Sequence, residues 1–552
     1  MDFSLILIPI SILVIISYSQ QFKYLFFYQN KSNLKFKNND FIYGIFFLTV
    51  ISYLLNFFFP LKYFSLIIFI YGLISFFYIF LLKKIIIQIN LKSLFFIVIF
   101  LIVVSLSNDL LYDSKLYHYQ ILKYNYEQTI IFGLVNIDPR LAFSSSWHQF
   151  ISIFAFNNVL VSNLNIILYS FILNVIFDQK FYIKKISKIF LFCSLGFIFF
   201  YSLIHPKMNG TIFMSIGSPE VDIVGMLMLI FTLYLYLENS KNKFLIIFAA
   251  MLCATTKLSY VGICLLILFV FYKNKNLIKH RKLNSIIMVF VTIYLLESYI
   301  QTGCLIFPVK QTCFDSFWSL SLEDLVYLSD ALQNWAKDQP YRKLYTNPEN
   351  FKDFIWLKPW FFNYFVKTSF VQMLSFIFCL NVLFIIIYFK YFVTLLKTQK
   401  ISLTIITLFS IILIWFQAPA IRYGYGILLA IPIFCLSLFL IKINKKYFNY
   451  LFNYKIQYIL LFLILIKNFN NLYLLDNNRL IALKNISLKN YEIKKEILNI
   501  NKKDDKIYSN KSQSQFCFNL QQICTTHDSY LRNKNIYVEY KFGYKFYFTK
   551  LN

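Results

Sequence analysis

Apolar runs of about 20 residues, separated by shorter polar stretches, recur along most of the chain. That length crosses the hydrocarbon core of a bilayer as a helix. The pattern predicts spans near 3–19, 42–60, 63–82, 93–108, 155–177, 186–204, 221–238, 284–300, 368–390, 401–417, 424–441 and 457–475. The first run lacks the basic start and small-residue cleavage site of a signal peptide, so it reads as a span. The stretch 244–272 behaves differently, because both its flanks, Ser240–Lys243 and Lys273–Lys282, are basic. Two full spans need about 40 residues and this stretch has fewer. It is expected to be two short helices that turn around Thr255, Thr256 and Lys257 inside the membrane and leave on the side they entered. Irregular backbone at that depth has to be shielded by protein or by a watery cavity. The fold class is therefore an all-α polytopic membrane protein with about 14 membrane-embedded helices.

Composition narrows the function. Of the 552 residues 59% are hydrophobic and 14% charged, against roughly a quarter charged in a soluble protein, which argues against a soluble enzyme. The 12 Gly and 11 Pro are too few for collagen-like or Pro/Gly-rich disordered chains. The 66 Phe and 42 Tyr accompany abundant Ile, Asn and Lys, a bias of AT-rich coding, so a single aromatic residue carries little weight. A net charge of +29 would suggest nucleic acid in a soluble chain. Here the lysines sit between apolar runs, where positive-inside topology accounts for them, and no nucleic-acid partner is expected. The short basic segments 20–40 (Lys23, Lys31, Lys35, Lys37), 83–92, 178–188, 239–243, 273–283, 391–400 and 442–456 are assigned to the cytoplasmic side. The longer segments 108–150, 205–222, 301–366, 418–423 and the tail from about 476 hold most of the acids and fall outside. Cys304/Cys313 and Cys517/Cys524 lie in those outer segments, on the oxidising side, and are expected to form two local disulfides. Cys193, Cys253, Cys264, Cys379 and Cys435 lie in apolar runs as small hydrophobes.

Candidate chemistry concentrates in the outer segments. After Asp113, the apolar positions Leu116, Tyr117, Ile121 and Tyr124 recur at near-helical spacing and predict an amphipathic helix on the membrane surface. Asp113 stands where a cap would, and capping alone would explain it. Asp109 reads equally as an interfacial acid. A carboxylate at this boundary near His118, Arg140, Trp147 and His148 also has the chemistry of a general base. On an ideal α-helix Asp113 and His118 would be about 140° apart, so they share a face only if the helix begins after Asp113. Glu220 and Asp222 follow Ser218 and Pro219, either as helix-start residues or as a second acidic group for an acceptor hydroxyl or a divalent cation. No His/Cys spacing supports zinc. Arg422 in APAIRYGYG is one of few arginines; it either snorkels or binds phosphate through its fork. Lys257 is an ionisable residue within the membrane, which is a functional hypothesis by default.

The strings YDSKLYHYQILKYNYE and GLVNIDPRLAFSSSWHQF resemble the first outer loop of a family of bacterial multi-span membrane proteins. GSPEVD, TTKLS, TGCLIFPVKQTCF, NWAKDQP, APAIRYG and FCFNLQQICTT fit the same pattern in the same order, over most of residues 100–530. That family in turn resembles the GT-C glycosyltransferases, which take a sugar from a polyprenyl-phosphate carrier on the outer face. The resemblance implies accessory spans in 1–92, a GT-C-like module in 93–475 and a small extracytoplasmic α/β lobe in 476–552, where KNIYVEYKFGYKFYFTK alternates enough to be strands. It implies a bacterial cytoplasmic membrane protein with Asp113 as base. Glu220, Asp222 or Asp109 would stand at an acceptor or metal site, and Arg422, Lys257, Lys207 and Arg140 would serve the donor phosphate. The partners implied are a polyprenyl-phosphate sugar and an envelope glycan, lipid or protein acceptor. A transporter or flippase for a lipid-linked saccharide shares the spans and the cations, although long outer loops and absent internal repeats count against it. A polymerase or ligase would use the same donor chemistry, and a scaffold without catalysis would not need the acids.

Overall fold

Helices that are apolar all round cannot use an amphipathic stripe to choose their neighbours, so close backbone approach and buried polar bonds must do so. The computed structural model describes residues 3–27, 35–82, 86–106, 111, 113–155, 164–176, 185–205, 215–238, 242–338, 354–441 and 466, and from the C-terminal part 495–497, 508–510, 524–525, 536–541 and 544–549. These residues are mostly helical. In chain order the main elements are α1 (Phe3–Phe26), α2 (Phe41–Phe58), α3 (Ser65–Phe77), α4 (Leu91–Leu106), α5 (Tyr119–Glu127), α6 (Ser146–Ser152), α7 (Asn165–Ile176), α8 (Ile186–Ile204), α9 (Asp222–Leu237), α10 (Lys243–Thr256) and α11 (Cys264–Lys273). There follow α12 (Arg281–Thr302), α13 (Leu322–Lys337), α14 (Leu357–Trp360), α15 (Ser369–Ile387), α16 (Phe389–Leu396), α17 (Gln399–Trp415) and α18 (Ile421–Leu440). At the α1–α2 contact a Cβ on Gly44 would strike the Ile15 carbonyl oxygen and Ser19 Oγ, so only glycine lets these backbones meet.

Side-chain bonds sort the connecting segments into two ends. At one end β1 (Lys35–Phe36) pairs in parallel with β2 (Ile86–Ile87). Lys23 pairs with Asp40 at 2.7 Å, Asn174 donates to Asn38 at 2.9 Å, and Lys185 pairs with Glu238 at 2.8 Å. Lys273 donates to Gln399 at 2.9 Å, and Lys243 and Lys273 both neighbour Lys400. The basic segments therefore gather together; 442–456 lies outside the described residues. At the other end Ser52 donates to the Gln149 carbonyl, Asn56 to the Asn125 and Gln128 carbonyls, and Asn136 to the Trp318 carbonyl. Between the two ends α10 and α11 pack side by side, with Lys243 and Lys273 together at the basic end, as the basic flanks of 244–272 require.

Among the described residues five helices are long and apolar enough to cross a membrane: Asn38–Phe58, Ile186–Ile204, Arg281–Thr302, Ser369–Ile387 and Ile421–Leu440. The pair Phe389–Leu396 and Gln399–Trp415, bent by 87°, makes a sixth if it is one span. This corrects the expectation of about 14, because apolar length alone counts runs that the backbone divides. Run 63–82 splits into α3 and a π-turn at Tyr78–Leu82, and Asp222–Leu237, Lys243–Thr256 and Leu258–Lys273 are each shorter than a full crossing. Run 457–475 lies almost wholly outside the described residues. The span Ser369–Ile387 is only 17% buried within the protein and leaves Phe376, Phe378, Ile386 and Ile387 exposed. So much exposed apolar side chain on one helix is compatible with a lipid-facing surface.

The helix after Asp113 is not a surface helix. Leu116, Ile121, Leu122, Tyr124 and Tyr126 are all buried, and α5 packs on α6. Cys304 and Cys313 are disulfide-bonded in the third long loop. The expected Cys517–Cys524 bond involves Cys517, which lies outside the described residues. In the C-terminal lobe the described residues are strands, β3 (Lys495–Ile497), β4 (Tyr508–Asn510) and β5 (Cys524–Thr525) in one sheet, and β6 (Ile536–Lys541) and β7 (Tyr544–Thr549) as an antiparallel pair. β7 docks on the loop end: the Tyr544 hydroxyl donates to the Phe57 carbonyl at 2.9 Å, and the Phe132 and Phe546 rings stack at 4.2 Å.

Candidate functional site

The site is organised by the break between α10 and the 3₁₀ stretch Leu258–Ile263. Lys257 is extended there, so helix carbonyls lose their partners and others must replace them. Ser145 from the first loop donates to the Thr256 carbonyl at 3.0 Å, Thr255 donates to Ser146 Oγ at 2.8 Å, and Ser259 donates to the Tyr423 carbonyl at 2.9 Å. Tyr260 wedges the break against two helices. Its hydroxyl accepts the Gly426 N–H at 3.0 Å, and a Cβ on Gly225 of α9 or Gly426 of α18 would collide with it.

Around this break, charged residues from distant parts of the chain converge. Asp113 does not cap a helix with its side chain. Its Oδ2 accepts from Arg422 Nη1 in the first turn of α18 and from the Tyr117 hydroxyl at 3.5 Å. Ser114–His118 forms a π-turn, closed by the Tyr119 N–H on the Ser114 carbonyl. A bond across five residues brings residues five apart close together, so Asp113 and His118 line one cavity despite the angle of an ideal helix. Asp222, the first residue of α9, pairs with Lys257. Lys257 Nζ lies 4.6 Å from the centre of the Tyr423 ring and Arg422 Cζ 5.2 Å from it, with Arg422 also 5.1 Å from the Trp335 ring. Glu220, buried, faces the same space. These groups line a cavity of about 1610 Å³ at the loop end.

Burial, then the neighbouring Asp113 carboxylate, pushes the Glu220 carboxyl up to about 7, while Arg422 and Lys257 oppose the shift. Burial holds His148 down at about 4, and burial with His148 beside it lowers His118 well below the usual imidazole range. Both rings are therefore neutral, 4.9 Å apart. His148 Nε2 faces the Pro219 carbonyl at 2.9 Å, which puts the proton on that nitrogen and leaves Nδ1, without a partner, as an acceptor. Arg140 lines the cavity and pairs with Asp138 at 3.3 Å. Trp147 does not line the cavity; its indole is buried and donates to Asn165 at 2.6 Å. Asp109 and Lys207 lie outside the described residues.

Sequence reasoning passed over Tyr423, Trp335 and Glu297. Tyr423 adjoins Arg422, and Trp335 belongs to NWAKDQP, but the abundance of aromatics hid both. Glu297, buried within α12, carries the same intramembrane-charge signal as Lys257 and was legible by that rule. Among the described residues no cluster of three or more His, Cys, Asp or Glu is placed to hold a metal ion.

Fold and site together define a mostly helical chain with several helices apolar and long enough for a membrane, built around a cavity of paired acids and cations. The chain belongs to the family described as Domain of unknown function (DUF8201), whose model matches residues 3–429 and so takes in every described residue of this site. No curated protein and no solved structure matches it.

Proposed function

We propose that the protein is a membrane glycosyltransferase of GT-C type. It moves a sugar from a polyprenyl-phosphate donor to an acceptor hydroxyl on the outer face of a bacterial cytoplasmic membrane, in cell-envelope glycan or glycolipid modification. The lysine-rich end lies in the cytoplasm and the cavity end outside, following the positive-inside rule. One observation carries the reading: Asp113, Glu220 and Asp222 share a single cavity with Arg422 and Lys257, although Asp113 and Arg422 are 309 residues apart in sequence. A displacement at an anomeric carbon needs a base on the attacking hydroxyl and cations on the departing phosphate. Asp113 takes the acceptor proton. The acceptor oxygen bonds to the anomeric carbon, the bond from that carbon to the phosphate oxygen breaks, and its electron pair leaves with the lipid phosphate. Arg422 and Lys257 receive that charge, Arg422 through two edges of its fork. A single displacement inverts the anomeric centre.

Aromatic rings around the cations favour a sugar phosphate over a bare ion, since Tyr423 and Trp335 offer flat apolar faces beside the charge. The test is transfer of labelled sugar from a polyprenyl-phosphate donor by purified, lipid-reconstituted protein. Wild type is expected to transfer, and Arg422→Ala to bind donor weakly and release phosphate slowly. Movement of intact lipid-linked saccharide across the bilayer without any transfer would replace this reading with a transporter.

A further inference from the structure

Both cations that a phosphate would require already hold carboxylates: Arg422 is on Asp113 and Lys257 on Asp222. The two pairs are not independent, because both cations lie against the one Tyr423 ring. Both pairs also line the cavity instead of being enclosed by packing. Arg422 Nε is buried and has no hydrogen-bond partner, so the pair with Asp113 leaves the guanidinium incompletely satisfied. Asp113 in turn accepts both Arg422 Nη1 and the Tyr117 hydroxyl on the same oxygen, so its carboxylate is held by the pair and its negative charge is offset at rest.

We propose that the two pairs form an exchange device. An incoming phosphate ester takes Arg422 and Lys257 from Asp113 and Asp222, so the Asp113 carboxylate is released to act as base only when a donor phosphate is seated. This inference rests on the phosphate-donor reading of the same cavity. A phosphate brings more oxygens and more charge than either carboxylate and can bridge both cations around Tyr423, which one carboxylate does not do here. A monovalent anion that reaches one cation breaks one pair and replaces it with one contact, so it gains nothing. Proton and charge then balance around the cycle: the acceptor proton passes to Asp113, the phosphate leaves with the electron pair, and Asp113 gives the proton to water before pairing with Arg422 again. The device protects the donor, since a site without an anion has no released base, and it returns to rest when the lipid phosphate departs.

The test is equilibrium binding of dodecyl phosphate and of inorganic phosphate to the full chain in nanodiscs, read by tryptophan fluorescence, with Trp335 stacked on Arg422 as the reporter. Because each carboxylate competes with the phosphate, Asp113→Asn and Asp222→Asn are each expected to tighten binding about tenfold, the scale of one charge-assisted hydrogen bond. Arg422→Ala abolishes it, and Asp113→Asn placed on Arg422→Ala restores nothing. The two acids report independently, so misfolding of one variant leaves the other to decide. Tightening for dodecyl phosphate alone assigns the site to a lipid-borne ester, and tightening for both probes assigns it to the phosphate group whatever its carrier. Unchanged or weaker binding in the folded Asp variants overturns the exchange. Sugar transfer by wild type with no such tightening removes the exchange and leaves the transferase, whereas tightening without any transfer removes the transferase and leaves the exchange.

Discussion

The ion pair Lys23–Asp40 is buried and the ion pair Asp113–Arg422 is half-buried, and they sit in different company. Lys23 and Asp40 join α1 to the turn before α2, and Asp40 also accepts the Lys37 N–H at 2.9 Å. Both of these partners of the carboxylate belong to the local fold, and neither Lys23 nor Asp40 lines the large cavity. Asp113 and Arg422 lie 309 residues apart in sequence, border about 1610 Å³ of space and share their surroundings with a second pair and two buried histidines. A buried pair with a closed environment fixes backbone, whereas a buried pair on a cavity wall can change partners. On the function proposed above, the difference separates a charge pair that holds the fold from one that serves the cavity.

The comparison can be broken at several points. The largest effect is topological and all-or-none. Lys279 is exposed near the basic end and Lys310 is exposed on the cavity side. Single cysteines at the two positions should be labelled by an impermeant thiol reagent from opposite sides of the membrane, and labelling from one side would dissolve the two-ended picture. Next, Lys257→Ala should lower transfer by about 10²–10³-fold, the cost of losing one preorganised group on developing charge, while thermal stability changes less than for Asp40→Asn. Asp40→Asn removes the charge that the buried Lys23 ammonium pairs with and should cost about 3 kcal/mol of stability by denaturant or thermal unfolding, with transfer per folded molecule unchanged. Gly225→Ala pushes a methyl group into Tyr260 and should destabilise by roughly 1–3 kcal/mol, with donor binding weakened because the Lys257 break shifts with Tyr260.

The smallest effect is a pH slope. Glu220 is raised from 4.5 to about 7, so the folded state binds its proton more tightly than the unfolded state. Its contribution is full below pH 4.5 and is lost as pH rises through about 7. His148, lowered from 6.5 to about 4, runs the other way: its contribution is full above 6.5 and is lost as pH falls through about 4. Unfolding midpoints of Glu220→Gln should therefore lose the decline between about 4.5 and 7 and leave the acid-side loss from His148 in place. A slope identical to wild type would mean that Glu220 is solvated.

Much of this was legible in the chain. Among the described residues the lysine-rich segments meet at one end, and the basic flanks of 244–272 signalled a hairpin whose turn falls at Lys257. Those signals are one-dimensional, since charge bias and run length are local properties of sequence. Pairing is not local. Asp113, Asp222, Lys257 and Arg422 were each singled out, but nothing in the sequence says that Arg422 meets Asp113 and Lys257 meets Asp222. The π-turn was also hidden: its extra residue per turn depends on how Ser114–His118 packs, and an ideal helix put Asp113 and His118 on different faces. The run after Asp113 was read as a membrane-surface helix because amphipathic spacing does not distinguish a lipid interface from a protein interior, and Trp147 was read as a pocket residue although its buried indole bonds to Asn165.

Side-by-side transfer rates for wild type, Asp113→Asn and Asp40→Asn, measured on reconstituted protein with a polyprenyl-phosphate sugar donor, test the central claim most directly. Asp113→Asn should keep its fold and bind donor more tightly than wild type while transfer drops by at least about 10²-fold, and Asp40→Asn should transfer normally per folded molecule. Transfer at the wild-type rate by Asp113→Asn, or an equal loss in both variants, would contradict it.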